Sequence, residues 1–159
     1  MKQFKEVETL CSENLWFCDG CKKNQCATTQ IEIYSPPKIL IVHFKRFKTE
    51  KNTKTKINNR INFPLEELDL SDYIVNHNSP LDLVKEGKGK LKRNKILYDL
   101  YAVIYHHGTS LSHGHYTASC RHDEKGKWYK FDDKLVMEER IGNICNNDAY
   151  VLFYRRREH

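Results

Sequence analysis

Apolar and polar residues alternate with a period of two along several stretches of the chain, and this period is typical of β-strands. The sequence Asp-Glu-Lys-Gly at 123–126 separates two of these stretches and predicts a turn between them. The pattern therefore predicts a fold rich in β-structure. The predicted strands cover residues 38–47, 98–106, 116–120, 127–131 and 148–154.

The first of these stretches contains four consecutive apolar residues, Ile39 to Val42. An uninterrupted apolar run predicts a strand buried on both faces. Two polar stretches, 49–59 and 76–95, show no apolar period and are predicted to be loops. The second is rich in lysine and is interpreted as a basic loop or small insertion. The charged residues 155–159 are predicted to form a frayed tail.

Helical spacing is rarer than strand spacing in this chain. Phe4, Val7 and Leu10 recur three residues apart, which predicts the end of a helix over residues 2–10. A second short helix-like stretch is predicted over residues 137–145. The expected architecture is thus a sheet with little helix in this part of the protein.

Composition limits the size and the partners of the protein. The chain has 159 residues, of which 39% are hydrophobic and 30% are charged, so we expect one domain with a thin core or with part of its fold missing. Much of the net charge of +6 lies in residues 45–56 and 85–95. This clustering predicts solvated basic loops, not a nucleic-acid interface.

The start of the chain is polar, and no apolar run approaches the length that spans a membrane. We therefore expect an intracellular protein, cytoplasmic or nuclear, with no membrane partner. In a reducing compartment the six cysteines are expected to be thiols or metal ligands and not disulfides. Cys11 is most simply interpreted as a small apolar residue.

A zinc-knuckle pattern lies at Cys18-Asp19-Gly20-Cys21. The two thiolates would share one tight turn in which backbone amides can donate to sulfur. Zinc requires four ligands, however, and the chain contains no second C-x-x-C, although Cys11 and Cys26 could complete a site on paper. A thiol pair without metal and a redox pair remain open as alternatives.

A candidate catalytic pair lies in the predicted hairpin. His115 follows a glycine at the start of one strand, and Asp132 and Asp133 end the other, 17 residues after the histidine. That separation suits strand, turn and strand, so the imidazole would return beside a carboxylate and form a general base for a nucleophile. A metal site built from the other histidines of this region is the alternative, but their spacing lacks helical regularity.

Several motifs carry a resemblance to one family. Taken in order and spacing, they resemble the histidine box of the ubiquitin-specific proteases, which are papain-like cysteine deubiquitinases. Residues 37–47 resemble the palm strand of that family, so that the resemblance covers nearly the whole chain. The motifs are Tyr98–Val103, His107-Gly108, Gly114–Ala118, Trp128, Phe131–Asp133 and Ala149–Tyr154.

The resemblance implies an α+β, papain-like fold with an antiparallel palm sheet and part of the zinc-ribbon fingers. Residues 1–34 would belong to the fingers and connecting elements, and residues 35–159 to the palm, with the basic loop 76–95 inserted. Cys18 and Cys21 would be half of a structural zinc site whose partner C-x-x-C lies upstream. No cofactor is implied for catalysis.

The resemblance also assigns roles to residues of the candidate site. His115 would be the catalytic base and Asp132 the acid that orients it, with Asp133 bonding a water near the oxyanion. The loop before His115 resembles the family's blocking loop, which shapes the slot for the ubiquitin tail. His107, Gly108, Gly114 and Tyr116 are the implied ubiquitin contacts.

The family's nucleophile box is missing from this chain. Gly142-Asn143-Ile144-Cys145 resembles it locally but follows His115 in sequence instead of preceding it. We therefore interpret the chain as the C-terminal part of a catalytic domain that hydrolyses the bond after the C-terminal glycine of ubiquitin. Its expected partners are ubiquitin, ubiquitinated proteins and the missing N-terminal half of the domain.

Two alternatives to the enzyme remain. The chain could be an inactive ubiquitin-binding pseudo-protease or scaffold, although retention of His115 and Asp132 favours the enzyme. A zinc-finger nucleic-acid binder would need a second ligand pair, which is not found in the sequence.

Overall fold

The fold of the chain is taken from a computed structural model. Among the described residues the regular structure consists of β-strands and short 3₁₀ turns, and none of these residues lies in an α-helix. None of the described helical segments has the length and apolar character needed to cross a membrane. The structure describes residues 2–50, 53–75, 83–86, 90–93, 95–110 and 113–158.

Fifteen strands are found in these ranges. Their order along the chain is β1 (Glu8–Leu10), β2 (Trp16–Cys18), β3 (Lys23–Gln25), β4 (Ala27–Thr29), β5 (Ile39–His43), β6 (Phe47–Glu50), β7 (Thr53–Lys56), β8 (Leu68–Asp69), β9 (Leu83–Glu86), β10 (Lys90–Arg93), β11 (Leu97–His107), β12 (His115–Arg121), β13 (Trp128–Asp132), β14 (Leu135–Glu139) and β15 (Ala149–Arg156). The 3₁₀ turns cover Lys2–Lys5, Ser12–Asn14, Ser71–Tyr73 and Ile141–Asn143.

The chain divides into two compact units. The first comprises residues 1–36 and 70–95, and the second comprises residues 37–69 and 96–159. Within the first unit the described strands form three two-stranded antiparallel ladders, β1 with β4, β2 with β3, and β9 with β10. The predicted boundary between fingers and palm at residue 34 stays a prediction.

A disulfide joins Cys11 to Cys26 in the first unit. The prediction that all six cysteines are thiols or metal ligands is therefore wrong for these two, and Cys11 is not simply a small apolar residue. The reason is non-local: β1 pairs with β4 so that Leu10 opposes Ala27, which brings the two Cα atoms within 4.7 Å, inside the range that a disulfide can bridge. Cys18, Cys21, Cys120 and Cys145 are free thiols.

Both predicted helical stretches adopt other structures. Residues 2–10 form a 3₁₀ turn followed by β1, and residues 137–145 contain the end of β14 and a second 3₁₀ turn. Spacing of three apolar residues fits a 3₁₀ turn as well as an α-helix. In the later stretch, pairing of β14 with β13 outweighs the local preference.

The second unit is built on one antiparallel sheet. The strand order is β14-β13-β12-β11-β15-β5, and the short β8 also pairs with β11. The strands predicted over 98–106, 148–154 and the hairpin of 116–131 are confirmed as β11, β15 and the β12–β13 pair. The eleven-residue β11 contributes to both neighbouring ladders and is the central strand.

One face of this sheet is the core of the second unit. Tyr98, Leu100, Val103, Leu152 and Tyr154 lie on this face and are at most 2% exposed. The hydroxyl groups of the two tyrosines donate to the carbonyl oxygens of residues 37 and 64. Burial of a large apolar side chain contributes about 1.5–3 kcal/mol, so this face accounts for much of the stability of the sheet.

The opposite face of the sheet, which we call the exposed face, carries exposed apolar side chains. They are Ile39, Ile41, Phe131 and Val136. Their exposed fractions are 40%, 59%, 41% and 59%. The prediction that Ile39–Val42 is buried on both faces is wrong, because β5 alternates between exposed and half-buried side chains at the edge of the sheet. Consecutive apolar residues do not show whether anything covers the second face.

Parts of the predicted loops and tail are ordered strands. β6 and β7 are paired antiparallel strands that extend into the stretch 49–59, and β9 and β10 pair inside 76–95, whose remaining predicted loop lies largely outside the described residues. Polar, lysine-rich hairpins have no apolar alternation to reveal them. The tail is ordered at least to Arg157, which donates to both carboxylate oxygens of Asp99.

Candidate active site

The β12–β13 hairpin places His115 beside Asp132. Ala118 opposes Phe131, so the same register continued by one residue sets Asp132 opposite Thr117. Side chains alternate along a strand, and His115 is the next residue on the Thr117 face. The imidazole Nε2 lies 2.7 Å from Asp132 Oδ1. The predicted pair is therefore brought together in the structure.

The hydrogen bond fixes which ring nitrogen is available for chemistry. A carboxylate only accepts, so Nε2 carries the proton and Nδ1 is left to accept a proton from a nucleophile. The hydrogen bond to Asp132 raises the pKa of His115 above its ordinary value. The same bond, assisted by Lys130 at 3.3 Å, lowers the pKa of Asp132. The result is an oriented base next to a stable carboxylate.

Asp133 lies in the two-residue turn that connects Asp132 to Leu135. Its φ of 49° is in the left-handed region, which aspartate tolerates better than most residues. One ligand-type atom from each of His115, Asp132 and Asp133 lies within 4.8 Å of the others. Asp133 thus adds negative charge close to the pair, while its predicted role near an oxyanion stays a prediction.

Two glycines form the neck of the loop before His115. Gly108 has a φ of 126°, and a Cβ there would lie 2.8 Å from the carbonyl oxygen of His113. A Cβ on Gly114 would lie 2.7 Å from the carbonyl oxygen of His107 and would also collide with the ring of His106. Only glycine therefore fits at either position.

His106 was not among the predicted site residues, but its ring lies beside Gly114 at the neck of this loop. It is 2% exposed, and its ring lies 4.9 Å from the ring of Tyr116 and 5.3 Å from that of Phe47. Burial, with Lys56 nearby, lowers the pKa of His106. The sequence does not show that the His106 ring faces Gly114. Sequence reasoning therefore could not identify His106 as a residue that packs against this loop.

His107 and Tyr116, the predicted ubiquitin contacts flanking the glycines, differ in accessibility. His107 Nδ1 lies 3.0 Å from Asp148 Oδ2, and Nε2 lies 2.8 Å from Thr117 Oγ1. Both ring nitrogens are thus bonded within the chain. Tyr116 is 57% exposed and can be reached by a partner.

The free thiols of this unit do not join the pair. No cysteine of the described residues shares the 4.8 Å cluster of His115 with the two aspartates. The Cys145 thiol donates to the carbonyl oxygen of Phe63 at 3.4 Å. Burial raises the pKa of the Cys120 thiol, which makes the thiolate form less accessible. These contacts support the interpretation that a nucleophile comes from elsewhere.

In the first unit, Cys18 and Cys21 lie on one tight turn. The amide of Lys22 donates to the carbonyl oxygen of Cys18 at 2.7 Å and closes the turn. The backbone N–H of Cys21 donates to the Cys18 sulfur and lowers its pKa. Such a turn suits a metal-binding thiolate pair. It provides two ligands, and no described residue brings a third ligand atom to them.

The second unit thus defines a class of protein. An antiparallel sheet presents a histidine whose Nε2 is held by a carboxylate and whose Nδ1 can act as base, which is the base-and-acid part of a nucleophilic hydrolase site. Residues 6–154 match the family model described as ubiquitin carboxyl-terminal hydrolase. The chain belongs to the ubiquitin carboxyl-terminal hydrolase family, as the motifs predicted.

Curated relatives show the same relationship. The chain is 39% identical over 157 residues to ubiquitin carboxyl-terminal hydrolase 12 of Saccharomyces cerevisiae, covering 99% of this chain and 11% of that protein. It is 35% identical over 155 residues to ubiquitin carboxyl-terminal hydrolase 15 of Homo sapiens, covering 98% and 14%. The chain therefore spans less than one sixth of the length of these relatives.

Solved structures share the fold. One is the SAGA Ubp8/Sgf11/Sus1/Sgf73 DUB module bound to ubiquitin aldehyde, with a TM-score of 0.76, 28% identity, and coverage of 99% of this chain and 32% of that chain. Another is the same module with a substituted Ubp8, bound to monoubiquitin, with a TM-score of 0.75, 28% identity, and coverage of 99% and 31%. The predicted deubiquitinase fold with its antiparallel sheet is thus confirmed, whereas the zinc ribbon stays a prediction.

Proposed function

We propose that this chain is the base-and-acid part of a ubiquitin-specific thiol protease that cleaves the peptide or isopeptide bond after the C-terminal glycine of ubiquitin. The observation that carries the proposal is the 2.7 Å contact between His115 Nε2 and Asp132 Oδ1. Family membership supports ubiquitin as the substrate, because two solved relatives are DUB modules bound to ubiquitin aldehyde and to monoubiquitin.

The geometry assigns each residue a step. Asp132 accepts a hydrogen bond from the Nε2–H of His115 and holds the ring so that Nδ1 faces the proton to be moved. Nδ1 takes the thiol proton of a cysteine supplied by another segment, and the thiolate attacks the scissile carbonyl carbon. His115 then returns that proton to the leaving amine. Water, activated in turn by His115, hydrolyses the thioester that remains.

The loop at Gly108 and Gly114 is the proposed slot for the ubiquitin tail. The two glycines let the ends of this loop approach closely, and Tyr116 is exposed beside them. His107 has both nitrogens bonded internally, so its proposed contact with ubiquitin would use the ring face or the Cε1 edge. These four residues form the proposed tail-binding set.

We further propose that the nucleophile is carried by the N-terminal half of the same catalytic domain. The exposed face supports an association of this kind, because Ile41 and Val136 are each 59% exposed on a sheet that is well packed on its other side. Exposed apolar surface of this extent favours association. The isolated chain is accordingly expected to associate or to have low solubility.

A structural zinc ion is a separate part of the proposal. Cys18 and Cys21 fit two of the four ligands, because their turn directs an amide to the Cys18 sulfur. Zinc supplied there would crosslink the turn to a second C-x-x-C from outside this chain. Cys11 and Cys26 are joined to each other and do not serve as ligands while the disulfide is intact.

Hydrolysis of a ubiquitin C-terminal fluorogenic amide tests the function. We expect no turnover by the chain alone and turnover after addition of a polypeptide carrying the upstream cysteine box, and none when His115→Gln replaces the base. Ubiquitin binding without turnover in the reconstituted mixture would favour the alternative, an inactive ubiquitin-binding scaffold. Turnover by the chain alone would overturn the proposal and direct attention to its own cysteines.

The cytoplasmic or nuclear location stays a prediction, as does the lack of nucleic-acid and membrane partners. Imaging of the tagged protein against compartment markers tests the first. Retention on heparin that is lost only at high salt would contradict the second, because it would indicate a polyanion-binding surface.

A further inference from the structure

A second histidine–aspartate pair lies beside the candidate catalytic pair. Lys56 Nζ lies 3.0 Å from Asp148 Oδ1, and the other oxygen of Asp148 lies 3.0 Å from His107 Nδ1. His107 Nε2 lies 2.8 Å from Thr117 Oγ1. These four side chains form one continuous line of hydrogen bonds, which we call the Lys56–Thr117 chain.

Both ends of the Lys56–Thr117 chain are buried. The Lys56 side chain is 1% exposed and Thr117 is 4% exposed, whereas His107 and Asp148 side chains are 35% and 38% exposed. Lys56 Nζ also donates to the carbonyl oxygen of His106. A buried ammonium is tolerated only when it is paired and hydrogen-bonded. The Lys56–Thr117 chain is therefore part of the packed core and not an incidental surface contact.

Electrostatics agree with this geometry. Burial alone would raise the pKa of the Asp148 carboxyl, but the hydrogen bonds from Lys56 and His107 hold that pKa below its ordinary value. Asp148 is therefore a carboxylate, which only accepts, so His107 Nδ1 carries a proton. The remaining nitrogen, Nε2, can accept the hydroxyl proton of Thr117.

The order hydroxyl, histidine, carboxylate is also the order of a serine-type hydrolase triad. The Lys56–Thr117 chain does not act as one, because the Thr117 hydroxyl is buried and no substrate carbonyl can reach it. Its carboxylate is moreover shared with Lys56. The arrangement serves to hold groups in place.

The groups held in place adjoin His115. His107 and His115 are the final cross-strand pair of β11 and β12, with ring centroids 6.4 Å apart and planes 26° from parallel. Thr117 is two residues beyond His115 on the same face of β12. The Lys56–Thr117 chain thus connects β7, β11, β12 and the turn before β15 at the end of the sheet where the candidate base lies.

We propose that Lys56, Asp148, His107 and Thr117 form a positioning network for His115, which holds the His107 ring in one orientation beside the catalytic ring, with Nδ1 on Asp148 and Nε2 on Thr117. The network deepens the proposed function, since it rests on His115 being the base. His107 and Asp148 are positioning residues in this scheme and do not touch the reacting atoms.

Other charged groups also face the two rings. His107 is flanked by Asp148 and by the buried His106, and Lys56 bonds the opposite oxygen of Asp148. The stacked ring of Tyr105 lies 6.3 Å away. His115 is faced by Asp132, Asp133 and Lys130. A change at Thr117 leaves all of these charges unaltered, which makes it the cleanest position for a test.

Thr117→Val and Thr117→Ser are the matched variants. Valine keeps the shape of threonine and removes the hydroxyl, whereas serine keeps the hydroxyl and removes a methyl group. Thr28→Val, at an exposed position of β4, controls for a threonine-to-valine change as such. All four proteins are compared as the whole chain with ¹⁵N-labelled histidine, and the ring signals of each histidine are followed across the neutral pH range.

We expect His107 Nδ1 to carry a proton in the wild-type, Thr117→Ser and Thr28→Val proteins, because it faces the Asp148 carboxylate. In Thr117→Val the Nε2–H form should become populated, and the titration midpoint of His115 should shift. Unchanged His107 and His115 signals in Thr117→Val would overturn the proposal, as would a wild-type His107 whose Nδ1 carries no proton. Asp148→Asn is a second variant, which should also release the Nδ1–H form.

This readout does not depend on turnover, so it separates the network from the proposed function. If the nucleophile-reconstituted protein hydrolyses ubiquitin amide, Thr117→Val should lower kcat roughly three- to tenfold, the effect of losing one hydrogen bond, with KM unchanged. Equal losses in Thr117→Val and Thr117→Ser would indicate a packing role only and would overturn the positioning role. Absence of turnover in every protein, with the expected histidine signals, would sink the proposed function alone.

Discussion

His115 and Asp132 meet through Nε2 of the imidazole and Oδ1 of the carboxylate, 2.7 Å apart. This contact leaves Nδ1 as the ring nitrogen that can accept a proton. The neighbouring His107 is oriented in the opposite way, with Nδ1 on its carboxylate and Nε2 on a hydroxyl. Two histidines on adjacent strands therefore turn different ring nitrogens toward their carboxylates, Nε2 of His115 toward Asp132 and Nδ1 of His107 toward Asp148.

The carboxylate of Asp132 should control the titration of His115. We expect the midpoint of wild-type His115 to lie above its ordinary value of 6.5 and to fall in Asp132→Asn, because the hydrogen bond that stabilises the imidazolium is weakened. Asp133→Asn is the matched control one residue away and should lower the midpoint less. NMR titration of the ring protons measures both. An equal fall in the two variants would contradict the assignment.

The same shift has a consequence for stability. Because the folded-state pKa of His115 is raised, its contribution to stability is complete at pH below the unfolded value of 6.5 and is lost as pH rises through the folded value. The pH dependence of urea unfolding above 6.5 should therefore be shallower in Asp132→Asn than in the wild type. A steeper dependence would show that the linkage has the opposite sign.

Gly114 should resist substitution because of its neighbours. A Cβ at this position meets the His106 ring and the His107 carbonyl oxygen, so we expect Gly114→Ala to destabilise the protein by about 1–3 kcal/mol, as overpacking usually does. Gly142→Ala is the control, since nothing lies within 4 Å of a Cβ there. Urea unfolding of both variants gives the comparison. Similar stabilities would mean that the loop yields without cost.

Cysteine labelling should distinguish the disulfide from the thiols. Alkylation of the unfolded chain without reductant is expected to modify the four free cysteines and to leave Cys11 and Cys26 unmodified. Mass spectrometry of the digested protein identifies the sites. Labelling of all six cysteines in protein purified without reductant would contradict the pairing.

The disulfide should also stabilise the first unit. It links two cysteines that are 15 positions apart in sequence, a separation for which chain entropy predicts about 3 kcal/mol. Replacing both cysteines by alanine should lower the unfolding free energy of that unit by this order. Replacing Cys120 and Cys145 in the same way provides a control with the same number of cysteines removed. Equal effects would argue against a role for the crosslink.

Zinc binding should need ligands from outside the chain. We expect the isolated protein to bind zinc weakly through Cys18 and Cys21, and tightly only after addition of a polypeptide with the upstream C-x-x-C. Cys18→Ser should abolish the tight binding, whereas Cys120→Ser should not. Equilibrium dialysis with metal analysis measures the stoichiometry. Tight binding by the chain alone through four of its own cysteines would refute the half-site.

The hairpin and its histidine–aspartate pair were predictable from the sequence. Period-two alternation and the turn at 123–126 specify β12 and β13, and His115 and Asp132 both lie in that hairpin. Their contact is local, since pairing register alone brings the two side chains to one face. The motifs around them then identified the family, as the match over residues 6–154 confirmed.

Contacts between segments that are distant in sequence could not be predicted in the same way. Lys56 lies 92 residues from Asp148, and Asp148 lies 41 residues from His107, so no local pattern marks them as partners. The pairing of Cys11 with Cys26 likewise depends on the register of β1 and β4. Local periodicity predicted β11, β12, β13 and β15, but the partners of a buried charge or a thiol depend on how the strands pair and pack.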